Sequence, residues 1–154
     1  DAIARSYIYQ ISRRRTALGK KYVWWIKDKL DINKMNEVAR HFTGLKNFKS
    51  FTDDEQEQGS AKTNITHSSV TEFGDLIVFH VIGSHFLWKQ VRRMTGVLVE
   101  AGRGKLDSGD VLSFFRNKSD IPAKLTAPPS GLFLERVYYK GDRMDLSVKP
   151  VINI

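Results

Sequence analysis

The sequence predicts an α+β fold in which helices pack on one face of an antiparallel β-sheet. At 154 residues the chain has the length of a single domain. Apolar residues alternate with polar ones near both ends of the chain, whereas they recur every three or four residues in its middle. The predicted element order is β-β-α-β-β-α-α-β, which is typical of an α+β domain. We place that domain at residues 1–140 and a C-terminal tail at residues 141–154.

The first two strands are predicted to form a hairpin with a basic tip. In residues 5–12, Tyr7, Tyr9 and Ile11 alternate with polar residues, the pattern of a half-buried strand. Residues 22–26 are rich in aromatic side chains and predict the second strand. The intervening tip consists of three arginines followed by a turn-forming glycine: Arg13, Arg14, Arg15 and Gly19.

A helix is predicted next, with Asp31 or Asn33 as its N-cap, running to about His41 before Gly44 ends it. The acidic stretch 52–60 has almost nothing to bury, so we expect a mobile loop there. Strands are predicted near residues 62–70 and 76–83. The second of these is apolar on both faces, which predicts a central strand that is covered on both sides.

The helix predicted over residues 84–101 is the most informative element. Its apolar residues recur at spacings of four, three, four and three, and form a core-facing stripe of Leu87, Val91, Met94, Leu98 and Ala101. His85, Lys89 and Arg92 are predicted on the opposite side, with Arg93 beside them. A glycine inside a helix costs about 1 kcal/mol relative to alanine. We therefore expect another part of the chain to pack closely against Gly96.

The remaining elements are a short helix and a final strand. Asp107 or Ser108 is predicted to cap the helix, whose inward side chains are Val111, Leu112 and Phe115. A proline-rich loop over 121–130 leads to a strand over 131–140. The tail contains alternating apolar residues that could pair with a partner's sheet edge, although we expect its end to be loose.

Composition excludes several classes of site. The formal net charge of +8 favours an anionic partner such as nucleic acid, the alternative being a basic surface with no specific partner. The absence of cysteine excludes disulfides, cysteine zinc sites and a cysteine nucleophile. The four histidines show no metal-ligand spacing, and His80 is interpreted as a buried sheet residue. The sequence contains no apolar run long enough to span a membrane, and no phosphate-binding glycine motif.

Two features leave alternatives open. Tyr7 and Tyr9 share one face of the first strand, where they could stack on RNA bases or pack against a helix. Arg92 lies off the apolar stripe, where it could pair with a carboxylate or belong to an ordinary solvated helix face.

Four segments together resemble the catalytic C-terminal part of the tRNA pseudouridine synthase A family. ARSYIY at 4–9 is similar to its R-x-Y strand, and GLKNFKSF at 44–51 to its G-x-x-D/N-F-x-S-F turn. HFLWKQVRRMTG at 85–96 is similar to its F-x-x-x-x-V-R-x-x-x-G helix, and APPSGLFL at 127–134 to its A-P-x-x-G-L-x-L segment. Each motif is weak alone, but the four occur in the family's order over almost the whole chain.

The resemblance implies an enzyme that converts uridine to pseudouridine in tRNA, typically in the anticodon stem-loop, without cofactor or metal. It further implies a cytoplasmic homodimer. Tyr7 would stack on the target base and take part in proton transfer, Arg92 would pair with the catalytic aspartate, and Leu132 or Leu134 would line the uracil pocket. The other implied substrate-binding residues are Gly131, Arg5 and His85. The implied RNA-binding residues are Arg13, Arg14, Arg15, Lys89 and Arg93.

The chain departs from the family at the nucleophile. The family's catalytic aspartate lies in a G-R-T-D-x-G-V-H-like motif before the R-x-Y strand, and Asp1 has none of that context. We therefore expect a C-terminal domain that is inactive alone and has the N-terminal half of the enzyme as a partner. A milder departure is Lys62, where many members carry arginine. The alternatives are a noncatalytic RNA-binding module and a homodimerisation domain.

Overall fold

The computed structural model describes residues 1–17, 19–53 and 60–152. These residues form a mixed six-stranded sheet and four α-helices. The strands are β1 (Ala2–Ser12), β2 (Trp24–Trp25), β3 (Gly44–Asn47), β4 (Lys62–Phe73), β5 (Leu76–Gly83) and β6 (Leu132–Tyr139). The helices are α1 (Ile32–Ala39), α2 (Gln90–Gly102), α3 (Ser108–Arg116) and α4 (Ile121–Lys124). The α+β class is confirmed, whereas the predicted element order omitted β3 and α4.

Strand β1 lies at the centre of the sheet. It pairs with β5 along one edge, and with β6 and then β2 along the other. Strands β4 and β3 follow β5, so the sheet order is β2-β1-β5-β4-β3 with β6 also on β1. All of these pairs are antiparallel except that of β1 with β2, and the prediction of a purely antiparallel sheet is therefore wrong.

The predicted hairpin of the first two strands is also wrong. Strand β2 is only two residues long and runs parallel to β1, with Trp24 beside Ile11. The chain leaves β1 towards the β4–β5 turn, because the Arg13 N–H donates to the Asp75 carbonyl at 2.8 Å. It then loops back and re-enters the sheet in the direction of β1. The aromatic content of residues 22–26 specifies extended backbone but not its direction.

The helices cover one face of the sheet. Alternate residues of β1 and β5, among them Tyr9, Ile11 and Phe79, are buried in one core with α1, α2 and α3. In α3 the most buried side chains are Val111 and Phe114. The predicted inward residues Leu112 and Phe115 are only partly buried, because this short helix presents its Phe114 face to the core.

The opposite face of the sheet is buried as well. His80 is fully buried there, with its Nε2 3.0 Å from Glu135 Oε1. The tail crosses this face, where the Val151 N–H donates to Gln10 Oε1 at 2.7 Å and the Asp145 N–H donates to the Tyr138 hydroxyl at 3.3 Å. The tail is thus attached to the domain as far as residue 152, and the predicted loose end at 153–154 lies outside the described residues.

The helix caps follow the sequence. Asp31 Oδ1 accepts the N–H groups of Asn33 and Lys34, which confirms Asp31 as the N-cap of α1. Asp107 and Asp110 form a reciprocal capping box at the start of α3.

The predicted mobile acidic loop covers residues 52–60, and residues 54–59 of it lie outside the described part of the chain. Within the described part, every helix is too short or too polar to cross a lipid bilayer.

Candidate active site

The segment before α2 is a tight turn and not the first turn of a helix. The helix begins at Gln90, whereas the periodicity predicted a start near residue 84. Gln90 Oε1 accepts the Leu87 N–H at 2.8 Å and Gln90 Nε2 donates to Thr63 Oγ1 at 3.0 Å, which fixes the loop to β4. Lys89 has a left-handed backbone with φ of 62°, so a continuous helix cannot pass through it. Leu87 remains buried, as its apolar spacing predicted.

A concavity of about 350 Å³ lies between this turn, strand β1 and the entrance of β6. Three separate parts of the chain line it. The lining includes Tyr7, Phe86, Trp88, Lys89, Arg92 and Leu132. Tyr7, Arg92, Leu132 and Lys89, which were singled out from the sequence, therefore line one concavity, which we call the Tyr7 cavity.

Tyr7 occupies the helix-covered face of β1 and is only partly buried. Its ring meets Phe86 edge-on, with 5.0 Å between the ring centroids and an interplanar angle of 81°. This contact is a favourable aromatic geometry that holds the ring in place. The ring thus lines the cavity in a fixed orientation.

Arg92 is held against the segment that leads into β6. Its Nε donates to the Ala127 carbonyl at 2.7 Å, while its own carbonyl accepts the Ala127 N–H at 3.0 Å. Within residues 1–17, 19–53 and 60–152, neither Nη1 nor Nη2 of Arg92 has a hydrogen bond or an ion pair. The guanidinium is therefore oriented through one nitrogen and keeps two nitrogens for an anion.

Gly96 allows this segment to approach α2. A Cβ atom on Gly96 would lie 1.8 Å from the Leu125 carbonyl oxygen and 2.6 Å from its carbon. The close packing expected at this glycine is confirmed, and the element that makes it is the backbone at Leu125. The absence of a side chain at Gly96 thus helps to place Ala127 within reach of Arg92.

Tyr9 packs against the same segment, which leads into β6. It is completely buried, and its hydroxyl donates to the Pro128 carbonyl at 2.5 Å. Burial raises the pKa of Tyr9 well above its ordinary value, against a smaller opposing effect of the Arg92 charge and of the Gly131 backbone. Gly131 lies directly on the Tyr9 ring, since a Cβ there would be 2.7 Å from Tyr9 Cε1. Of the two alternatives for Tyr9, the structure shows packing in the core.

The two candidate leucines are in different environments. Leu132 is partly buried, pairs with Tyr9 in the sheet and lines the Tyr7 cavity. Leu134 is 54% exposed and is not among the lining residues. Leu132 is consequently the leucine whose position suits contact with a ligand in this cavity.

Comparison with known proteins identifies the family. The family described as tRNA pseudouridine synthase matches residues 38–140, more than half of the chain. The chain belongs to this family. It is 38% identical over 144 residues to tRNA pseudouridine synthase A of Geobacter sulfurreducens, covering 90% of this chain and 57% of that protein. The Exiguobacterium sp. enzyme of the same name is 33% identical over 136 residues, covering 88% and 55%.

A third relative, tRNA pseudouridine synthase A 2 of Clostridium tetani, is 31% identical over 144 residues, which cover 90% of this chain and 57% of the relative. The chain thus spans little more than half the length of the family members it matches. The match to the family includes Arg92 and Leu132, while Tyr7 precedes it. The roles that the resemblance implies for these residues stay predictions.

Arg93, predicted to bind RNA in this family, faces away from the Tyr7 cavity. It is 3% exposed, and its Nη2 donates to Asp53 Oδ2 at 2.6 Å. This hydrogen bond and the positive charge hold the pKa of Asp53 below its usual value. Arg93 lines a separate concavity with Lys49 and Lys118.

The three arginines of the predicted tip follow the C-terminal end of β1, at Ser12. Arg13 contacts Glu72, Arg14 lies 3.5 Å from Asp75, and the guanidinium carbon of Arg15 is 5.7 Å from the centroid of a Trp25 ring. At about 3.3 Å per residue along a strand, they are roughly 20 Å from Tyr7. The structure does not bring them to the cavity.

Arg5 and His85 are close in sequence to the lining residues Tyr7 and Phe86, but neither of them lines the cavity. Arg5 is partly buried in β1 beside Gly83 of β5, and His85 is exposed, with its Nδ1 3.2 Å from Ser84 Oγ. Within the described residues, no three His, Asp or Glu side chains are grouped so that they could hold a metal ion.

Two aromatic residues of the cavity, Phe86 and Trp88, were not singled out from the sequence. Phe86 orients Tyr7, and Trp88 lies at the rim with 56% of its surface exposed. A helical interpretation of residues 84–89 hides Trp88, because it then appears as one aromatic residue on a solvated helix face. The signal that could have found it is the run of aromatic and basic side chains from Phe86 to Arg92.

Proposed function

We propose that this chain forms one wall of the active site of a tRNA pseudouridine synthase, which isomerises uridine to pseudouridine in tRNA. The observation that carries the proposal is the placement of Tyr7, Arg92 and Leu132 on one cavity by three distant segments of the chain. The target uracil would enter this cavity between the tyrosine ring and the leucine.

The reaction exchanges two bonds at the ribose. The bond from C1′ to N1 of uracil breaks, the base turns, C1′ bonds to C5, the proton on C5 leaves, and N1 gains a proton, so the product is an isomer of the substrate. A nucleophilic carboxylate can divide this exchange into two easier steps. The base must first leave its stack, at a cost of a few kcal/mol. The partly exposed Tyr7 ring and the apolar Leu132 side chain offer the displaced base a new surface.

Arg92 is suited to hold the nucleophilic carboxylate. Its Nε is occupied by the Ala127 carbonyl, which leaves the two terminal nitrogens for a planar, two-oxygen partner. We propose that this partner is an aspartate supplied by a part of the enzyme outside these 154 residues. The ion pair would orient the carboxylate and keep it ionised next to the base.

Tyr7 is better suited than Tyr9 to take part in the transfer of the C5 proton, receiving it as its own hydroxyl proton is passed on. Tyr9 is buried, its hydroxyl is already bonded to the Pro128 carbonyl, and its raised pKa opposes ionisation. Tyr7 lines the cavity and is accessible to a bound base. Tyr9 instead acts as a positioning residue for the segment that carries Ala127 and Leu132.

The substrate and partners follow from the same proposal. A net charge of +8 is suited to a polyanion, and we propose the anticodon stem-loop of tRNA as the target. We further propose that the enzyme is a homodimer, that this chain works together with an N-terminal half of the same enzyme, and that it modifies tRNA in the cytoplasm. Catalysis would depend on side chains alone, without a cofactor.

The test is a chimera in which this chain replaces the matched segment of the Geobacter sulfurreducens relative. Tritium release from tRNA labelled at uridine C5 should be observed with the chimera and lost with Arg92→Ala, while tRNA binding is retained. Arg103→Ala is the matched control, because Arg103 pairs with Asp28 and Glu100 away from the cavity. A folded chimera that binds tRNA without releasing tritium would instead favour a noncatalytic RNA-binding module.

A further inference from the structure

The turn at Trp88 and Lys89 is under backbone strain. Lys89 is the one non-glycine residue with positive φ among the residues the structure describes. Such a conformation is disfavoured for L-residues and persists only where the surroundings impose it. Strained residues of this kind cluster at ligand-binding and catalytic sites. A single exposed tryptophan is common on protein surfaces, but one presented by a strained turn calls for an explanation.

Hydrogen bonds hold this turn from several sides. Gln90 bonds the Leu87 N–H and Thr63. Thr52 Oγ1 donates to the Trp88 carbonyl at 2.9 Å. The Arg93 N–H donates to the Lys89 carbonyl at 3.0 Å. These bonds fix the backbone that carries the indole at the rim of the Tyr7 cavity.

The two side chains of the turn are arranged together. Lys89 Nζ lies 4.2 Å from the centroid of a Trp88 ring, a cation–π contact. The indole is nevertheless 56% exposed. The rim thus presents an accessible aromatic surface beside a positive charge, the combination that binds single-stranded nucleic acid through one base and one phosphate.

We propose that Trp88 and Lys89 bind the nucleotide adjacent to the target uridine, with the indole stacked on its base and the ammonium group against its phosphate. This inference rests on the proposed function, since it assumes that the target base enters the Tyr7 cavity. When that base leaves the stack, its neighbour loses a stacking partner. The indole replaces that partner, so base displacement becomes less costly.

The test measures binding of this chain to a short oligouridylate and to an abasic oligomer of the same length and charge. Base stacking on an aromatic side chain is sequence-tolerant and strengthens binding substantially. Trp88→Ala should therefore weaken binding of the oligouridylate about tenfold and leave binding of the abasic oligomer unchanged. Trp88→Phe keeps an aromatic ring and should retain most of the affinity.

Trp25→Ala is the matched control. Trp25 is 43% exposed and also lies beside an arginine, but it is at the other end of β1. Its removal should change neither affinity. Lys89→Gln should weaken binding of both oligomers, and it should reduce the slope of log K against log salt by about one.

The proposal is overturned if Trp88→Ala binds the oligouridylate as well as the parent does. An equal loss with Trp25→Ala, or the absence of any preference for the oligouridylate over the abasic oligomer, would overturn it too. A different result would refute the proposed function. A chimera that binds tRNA without tritium release would contradict the proposed enzyme activity while leaving Trp88-dependent stacking in place.

Discussion

Replacement of Gly96 by alanine should destabilise the protein, although alanine is the better helix former. Intrinsic helix propensity favours the alanine by about 1 kcal/mol. The new Cβ would lie 1.8 Å from the Leu125 carbonyl oxygen, which is a backbone atom and cannot rotate away. Helix α2 and the 125–128 segment would have to separate. Overpacking of this kind costs about 1–3 kcal/mol, and a clash with backbone belongs at the upper end of that range.

The expected net effect is a loss of about 1–2 kcal/mol in the free energy of unfolding. For a domain of this size, that loss lowers Tm by about 2–8 °C. Urea unfolding followed by tryptophan fluorescence measures the difference directly, with an unchanged m-value showing that the unfolded state is the same. Gly109→Ala is the matched control within a helix, because the atom that a Cβ there would meet among the described residues is a side-chain oxygen of Asp107, at 3.2 Å.

Gly109→Ala should be neutral or more stable by up to about 1 kcal/mol, because it gains helix propensity and meets no backbone atom. If Gly96→Ala is as stable as the parent, or more stable, the close approach of Leu125 to α2 is wrong. The geometry that we describe for Arg92 and Ala127 would then be wrong as well, since both depend on the same segment.

Three further changes test other parts of the structure. Tyr9→Phe should lower the free energy of unfolding in urea by about 1–2 kcal/mol, because it leaves the Pro128 carbonyl without its donor, whereas Tyr7→Phe should change it little. Asp107→Ala should cost about 1 kcal/mol in thermal unfolding by removing the N-cap of α3; an unchanged Tm would contradict that capping role. Asp53→Asn should reduce stability at neutral pH. The pKa of Asp53 is lowered in the folded state, so its stabilising contribution exists above the unfolded pKa near 4 and disappears as the pH falls through the folded value. Acid titrations of the parent and the variant should therefore converge at low pH, and a pH-independent difference would refute the Arg93–Asp53 pair.

Local physical rules account for much of the fold. The alternation in β1, the fully apolar β5 and the N-cap at Asp31 all specify structure through short-range chemistry, and the structure has both strands and the cap. The half-burial predicted for β1 is wrong, because its polar residues Ser6, Gln10 and Ser12 are buried as well. Gly96 is informative in the same way, because its energetic cost implies a close neighbour. The neighbour itself could not be named, since Leu125 reaches the helix only through the tertiary fold.

The errors arise where distant residues override a local pattern. The chain that leads to the parallel strand β2 is bonded through the Arg13 N–H to the β4–β5 turn, a contact with a distant segment. At the late start of α2, Gln90 is likewise bonded to the distant Thr63. Helical periodicity placed Lys89 on a solvated face, and the left-handed turn there carries no local sequence signal of the kind that a glycine would give.

The candidate site was predictable from motifs but not from periodicity. Family resemblance singled out Tyr7, Arg92 and either Leu132 or Leu134, and the structure places Tyr7, Arg92 and Leu132 around one cavity. The other substrate-binding residues that it implied, Leu134, Gly131, Arg5 and His85, do not line that cavity. Arg93 was predicted to bind RNA beside Arg92, yet one position along the helix turns it to a different surface, where it pairs with Asp53. Distinguishing two adjacent arginines requires knowing which elements flank the helix, which the sequence pattern does not contain.

The measurement that tests the central claim most directly is tritium release by this chain alone, using tRNA labelled at uridine C5. The account assigns the chain the tyrosine, the arginine and the leucine, and assigns the nucleophilic aspartate to a part of the enzyme outside these residues. A folded sample of the chain should therefore release no tritium above the rate without protein, even when it is in excess over tRNA. Release by the chain alone would show that a nucleophile exists within these 154 residues and would contradict the account.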